Sequence, residues 1–210
     1  VAFVPVRSEG TGVSWSAGAL ISFACDAIYM APGTSMGSAA PIIASPDGTS
    51  QQADEKTVSA VRTQMAALAE KNGYPVPIAR AMVDYDVEVV ELLVDGEIRV
   101  VAGDEREAVV RDLEEAGASV EVGRTVSASG KLLSLTAGEA ERYGVAADTV
   151  GTLDALVDAL GLRGGDGASP EIVRLTQTGA DELVAVLTSA GVTSLLILIG
   201  LVALFMEITS

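Results

Sequence analysis

The stretch Ser16–Ile42, SAGALISFACDAIYMAPGTSMGSAAPI, decides how the rest of the chain is read. Its first half, SAGALISFACDAI, carries helix-compatible residues directly after the glycine-bearing run RSEGTG, so a tight turn at Ser16 opens a helix. IYMAP then reads as a short strand ended by Pro32, and GTSMGS as a glycine-rich loop leading into AAPII. Upstream, VAFVPV reads as a buried strand, which makes the order strand, turn, helix, strand. That order is the rhythm of an α/β protein.

Downstream the rhythm continues. Asp54 is placed to cap a helix over Glu55–Lys71, because Val58, Val61, Met65 and Leu68 recur at helical spacing and Gly73 and Pro75 stop it. A second helix is predicted over Pro77–Asp84. Residues 87–129 change character: VEVVELLV and IRVVA flank Asp95-Gly96, a hairpin signal, and an acidic helix follows with Val109, Val110, Leu113 and Ala116 on one face. This reads as an inserted β/α lobe. LLSL then returns as a strand, Thr136 and Glu139 form a capping box for TAGEAERYG, VAADTV is a strand and TLDALVDAL a closing helix.

The domain division follows from these elements. Residues 1–162 form the α/β domain, residues 163–190 a linker with a juxtamembrane helix, and residues 191–210 the start of a transmembrane region. Within the tail, Leu183–Met206 holds no charged residue, and a spanning helix needs about 20 apolar residues. Gly191 is expected to divide it, with an amphipathic helix over 179–190 and a membrane span that begins near Val192 and continues past Ser210.

Composition removes several functions. A formal charge of −16 repels phosphate backbones, so nucleic acid is excluded as a partner. The lone cysteine, Cys25, has no internal disulfide partner and reads as a small buried hydrophobe. The absence of histidine rules out Ser-His-Asp and Cys-His catalysis within this sequence and the commonest zinc ligands, so no cofactor or metal is expected.

A serine attacks an acyl carbon only if a base takes its proton and donors stabilise the oxyanion. Ser16 sits at a turn into a helix, where the Ala17 N–H and the positive helix end face developing negative charge. The bland reading is an ordinary helix cap. With histidine absent, the base must come from Lys56, Lys71 or Lys131. Lys56 stands out, in the first turn of the Asp54-capped helix, where the helix dipole disfavours an ammonium ion. Its helical face, shared with Ser59, Thr63 and Ala67, is either solvated or packed closely on a second layer. Lys71 lies by a helix C-terminus, where a cation is ordinarily stabilised, and Lys131 opens a strand.

These motifs resemble the NfeD-type membrane proteases of the ClpP/crotonase-like fold. The resemblance rests on SAGA, the apolar helix, MAPGT and the Gly-Ser loop ending in Pro41, with support from DEKTVSAVRTQMAALAEKNG, LLSLTAGEAERYGVAADTVGTLDALV and SLLILIGLVALFMEI. It covers most of the chain, and residues 87–129 match the longer forms less specifically. It implies a membrane-anchored serine endopeptidase with a Ser16–Lys56 dyad and Ala17 as an oxyanion donor. The substrates it implies are hydrophobic segments of stomatin-like membrane proteins. It also implies a catalytic domain on the extracytoplasmic side, contact with membrane lipid, and a homo-oligomer, a dimer or larger. RSEGTGVSW is longer than the family's short approach to the serine, so Ser14 competes with Ser16 for the role. The family's first βαβ region, with its Pro-Gly-Gly oxyanion loop, is missing, so the domain is expected to be N-terminally incomplete. Two other readings of the same fold are a non-catalytic membrane scaffold and an acyl-CoA enzyme, the latter disfavoured by the lack of a basic phosphate-binding cluster.

Overall fold

The structure, a computed structural model, describes residues 1–8, 11–45, 48–163, 168, 170–173 and 178–209. It divides into two units, Val1–Gly167 and Ala168–Ser210. The first opens with β1 (Ala2–Val4), β2 (Val13–Trp15), α1 (Ala17–Phe23), β3 (Ile28–Met30), β4 (Ser35–Gly37), the hairpin β5 (Ile42–Ala44) and β6 (Ser50–Gln52), α2 (Glu55–Asn72) and α3 (Val76–Ala81). The lobe comprises β7 (Val89–Val94), β8 (Glu97–Ala102), α4 (Arg106–Glu115) and β9 (Val120–Ser127). After it come β10 (Ser134–Thr136), α5 (Ala137–Arg142), β11 (Asp148–Thr149) and α6 (Leu153–Ala159).

Two small sheets carry the first unit. β3 lies between β1 and β11 in an all-parallel sheet, and β4 lies between β2, to which it is parallel, and antiparallel β10. As central strands, β3 and β4 bury Ile28, Met30 and Met36 completely, against Phe23, Met65, Ile78, Met82 and Leu135. Each such side chain contributes about 1.5–3 kcal/mol on burial. Two sequence expectations change here. GTSMGS is not wholly loop, since Ser35–Gly37 is the middle strand of a sheet. The strand that feeds the Ser16 turn is β2, whereas VAFVPV belongs to the other sheet. Strands of three residues are too short to show alternation, and their pairing comes from neighbours distant in sequence.

Helix α2 is set at both ends. The Asp54 carboxylate accepts the Thr57 N–H at 3.0 Å, and the Thr57 hydrogen bonds hold that carboxyl below its ordinary value of 3.8. Gly73 ends the helix in the left-handed region at φ 77°, and its neighbour Tyr74 returns an N–H to the Ala69 carbonyl. That end is tied to the exit of α1. Asn72 Nδ2 donates to the Phe23 carbonyl and Tyr74 Oη to the Cys25 carbonyl, each at 2.7 Å, and the Phe23 and Tyr74 rings meet edge-on at 5.2 Å. Burial, helped by the nearby Cys25 and Asp26, pushes the Tyr74 phenol up to about 12. Cys25 itself is only half-buried, because the turn after α1 leaves it beside the domain surface.

The lobe forms on the predicted hairpin. Asp95 and Gly96 take φ 52° and 89°, the left-handed pair that a two-residue turn between twisted strands requires. β9 completes the sheet on the other side of β7, an extra strand that the sequence reading did not separate from the lobe. Val109, Val110 and Leu113 of α4 are half-buried, Ala116 is exposed, and no α4 residue is fully buried. The lobe is bolted to α5 through Glu91, which is 8% exposed. Its carboxylate accepts from Arg142 Nη2 at 3.0 Å and from Tyr143 Oη at 3.1 Å, while Arg124 Nη2 donates to Tyr143 Oη at 2.7 Å. Burial pushes the Glu91 carboxyl up, but the Arg142 and Tyr143 hydrogen bonds and the two guanidinium charges outweigh it and hold the group below its ordinary 4.5.

The second unit contains α7 (Gly179–Leu187) and α8 (Ala190–Thr209). Thr178 and Asp181 cap α7 reciprocally. The break between the helices falls at Thr188 and Ser189, whose hydroxyls fold back on the Val184 and Val186 carbonyls, so Gly191 lies inside α8 instead of dividing the two. Among the described residues α8 alone is long and apolar enough to cross a membrane, with 20 residues and a mean hydropathy of 2.3. At 1.5 Å per residue it reaches about 30 Å, the thickness of a bilayer's hydrocarbon core. The linker expected over GLRGGDGAS lies mostly outside the described residues.

The Glu91 network yields a prediction with a defined sign. Because its carboxyl is depressed in the folded state, its contribution is complete above the unfolded value near 4.5 and is lost as pH falls through the lower folded value. Glu91→Gln is expected to lower stability at neutral pH by about 1.5–3 kcal/mol and to flatten the acid limb of stability against pH. Urea melts of both proteins from pH 3 to 7 check it.

Candidate active site

The β2–β4 pairing delivers the chain to Ser16. Trp15 stands opposite Gly37, and the next N–H, that of Ser16, is shared between the Gly37 carbonyl at 3.1 Å and the Ser38 carbonyl at 3.2 Å. Held there, Ser16 takes φ 53° and ψ −121°, a conformation that a residue with a Cβ adopts at a cost of about 1–3 kcal/mol. Its carbonyl then accepts the Leu20 N–H at 3.3 Å and α1 begins. A strained serine on a sharp strand-to-helix turn is the geometry of a nucleophile elbow. The side chain is exposed and makes no capping hydrogen bond, so the cap explanation for this serine fails. Ala17, also exposed, holds the first N–H of the helix, a donor with no intrahelical partner.

The carbonyls that hold Ser16 are themselves fixed. Gly37 has φ 131°, and a Cβ there would lie 2.5 Å from the Leu133 carbonyl oxygen, so no other residue fits. Ser38, at φ 44°, donates its N–H to that same oxygen at 2.9 Å and pairs its hydroxyl with that of Ser134 at 2.7 Å. Gly37 and Ser38 are positioning residues that sequence reasoning passed over. The Gly-Ser pair after Met36 was the available signal, and it is indistinguishable there from loop composition.

Ser14 and Ser16 face opposite ways. The Ser14 hydroxyl is buried, 2.9 Å from that of Ser22, and a Cβ on Gly18 would lie 3.1 Å from it. Lys56 lies in the first turn of α2 with its side chain exposed and without a hydrogen bond or ion pair to any described residue, Ser16 included. Thr63 and Ala67 on its face are exposed and Ser59 half-buried, so within one chain that face meets solvent, not a second layer. Lys71 is in the last turn of α2, and Lys131 lies in a turn ahead of β10. Trp15, next to Ser16 in the chain, is 53% exposed, with its Nε1 donating to Ser35 Oγ at 3.0 Å, and Ile21 of α1 is 65% exposed. Among the described residues no cluster of three His, Cys, Asp or Glu side chains could hold a metal ion.

A serine elbow on paired small sheets, an inserted lobe and a long apolar helix together define an α/β protein of ClpP-like fold. A solved structure agrees: the 1510-N membrane-bound stomatin-specific protease, a lysine-to-alanine mutant in complex with a substrate peptide, matches with a TM-score of 0.50. It is 21% identical, and the match covers 84% of this chain and 65% of that one. The family model for the NfeD1b N-terminal domain matches residues 9–112, from the approach to Ser16 into α4. Membrane protein NfeD1b of Bacillus subtilis (strain 168) is 28% identical over 207 residues, which is 99% of this chain and 38% of that protein's length. Over these residues the chain is similar to NfeD-type proteins, and it spans little more than a third of the length of the relative it matches.

Two substitutions test the elbow. Ser16→Gly relieves the positive φ and is expected to raise stability by about 1 kcal/mol, after the entropy that glycine loses on folding. Gly37→Ala drives a Cβ into a backbone oxygen and is expected to cost about 2 kcal/mol or more. Denaturant midpoints of the two variants against the parent measure both.

Proposed function

We propose that the chain is the catalytic portion of a membrane-anchored serine endopeptidase, with Ser16 as nucleophile and Lys56 as general base. The strained, exposed Ser16 elbow carries this reading. Lys56, free of other partners among the described residues, takes the Ser16 hydroxyl proton as a neutral amine. The oxygen then bonds the acyl carbon, and the negative charge on the former carbonyl oxygen meets the Ala17 N–H. On collapse the scissile C–N bond breaks and the leaving amine takes the proton back from the lysine ammonium. Water repeats the sequence on the acyl-enzyme. The likeness to a stomatin-specific protease whose lysine mutant was solved with a substrate peptide supports a lysine in this role and a stomatin-like substrate. Exposed Trp15, the residue before the nucleophile, and exposed Ile21 on α1 suit hydrophobic segments of such a substrate.

In this proposal residues 1–162 act as the protease domain and α8 anchors it, with the domain on the extracytoplasmic side. The solvent-facing position of Lys56, with no bond to Ser16, favours a second reading, a non-catalytic membrane scaffold on the same fold. A fluorophosphonate probe separates the two. Under the protease reading it labels Ser16 in the complete membrane-bound protein, and Ser16→Ala and Lys56→Ala each lower cleavage of a hydrophobic peptide by at least about 10³-fold without loss of fold. Ser14→Ala acts only through its packing on Ser22. A folded Lys56→Ala protein with near-normal turnover refutes the dyad, and unlabelled Ser16 in the membrane-bound parent supports the scaffold.

A further inference from the structure

The inserted lobe leaves one helix face uncovered. Between α4 and β9 runs an open groove of about 320 Å³ lined by Arg106, Glu107, Val110, Arg111, Glu114 and Val122. Its floor is apolar, Val110 half-buried and Val122 at 50% exposure, and its rim holds two arginines and two glutamates. The rim is therefore neutral in a chain of net charge −16. Two copies of such a chain repel each other over most orientations, and a locally neutral face is where approach costs least.

The order of charges along α4 selects the partner. Arg106, Val110 and Glu114 fall four residues apart and form one row on the helix. Since Arg106 and Glu114 are equidistant from Val110, a two-fold axis through Val110 sets a second α4 antiparallel and places Arg106 opposite Glu114 of the second copy, twice over. The same alignment brings Arg111 within reach of Glu107 of the second copy and opposes the helix dipoles favourably. A parallel arrangement would set arginine against arginine and glutamate against glutamate. Among the described residues of one chain these groups make only long, exposed contacts, Arg106 to Glu107 at 3.9 Å and Arg111 to Asp112 at 3.5 Å, which are readily exchanged for intermolecular ones.

We propose that the α4 groove is a self-association surface, occupied by α4 of a second copy of this chain in antiparallel register about Val110. The contact is small, and confinement of the chains to one membrane would raise their effective concentration enough to populate it. It stands independently of whether Ser16 is catalytic.

The test uses the 210-residue chain in detergent micelles, with Cys25→Ser as background. Val110→Cys is expected to form a disulfide-linked dimer on oxidation, because that position meets itself on the axis, whereas Glu115→Cys, off the groove, should cross-link about tenfold less. Arg106→Glu in the Val110→Cys protein should lower the yield about tenfold by turning an attraction into a repulsion, and so should Glu114→Arg. Combining the two reversals should restore it. Absence of cross-linking at position 110, equal yields at 110 and 115, or failure of the double reversal to restore the yield would each overturn the proposal. A dimer held by α8 alone would give the second of these results.

Discussion

Everything at the candidate site depends on one shared hydrogen bond, the Ser16 N–H captured by the Gly37 and Ser38 carbonyls. It prolongs the β2–β4 ladder one residue past the end of the strand, and in doing so forces the chain into a turn that extended backbone would avoid. Its acceptors are held from behind by Leu133 and Ser134 at the entry to β10, nearly a hundred residues away in sequence. A local strain of a few kcal/mol survives because distant segments fix both sides of it. Ser14, on β2, is buried, whereas Ser16 lies past the end of that strand and its positive-φ turn, not strand alternation, leaves it exposed.

The lobe is inserted between α3 and β10, so its attachment bears directly on that backing. Its C-terminal end leads to Leu133 and Ser134, which hold Gly37 and Ser38, its N-terminal end follows Ala81, whose carbonyl accepts the Leu133 N–H, and the Glu91, Arg142 and Tyr143 bonds fasten its central strand to α5, the helix that follows β10. A carboxylate buried at such a junction is costly unless fully hydrogen-bonded, and here two guanidinium groups and a phenol surround it. The result is directional attachment. An apolar patch of similar area would tolerate sliding, whereas these bonds accept one register.

What the sequence disclosed follows the range of the forces involved. The Asp54 cap, the Thr136–Glu139 capping box, the Asp95-Gly96 turn and the apolar run of α8 depend on residues within a few positions of one another, and each was legible. β2, β4 and β9 were not legible as separate strands, because they are too short or too polar to alternate and are defined by pairing across the fold. At the site, the turn at Ser16 could be read from its glycine-bearing approach, but its left-handed conformation and the roles of Gly37 and Ser38 are tertiary facts. The position of Lys56 on the first turn of α2 was equally readable. That its face meets solvent instead of a packed layer was not, since helical spacing gives faces without saying what covers them.

The placement of the aromatic residues gives the molecule a built-in optical reporter. Trp15 is the only tryptophan in the sequence, and it stands immediately before the serine elbow, half exposed, with its indole N–H on Ser35. The interior holds methionine side chains such as Met30, Met36, Met65 and Met82, with Tyr74 and Tyr143 among them, but no tryptophan. Fluorescence excited selectively at tryptophan, beyond the absorption of the four tyrosines, is thus a signal from a single neighbourhood: it registers what arrives at or leaves the surface beside Trp15.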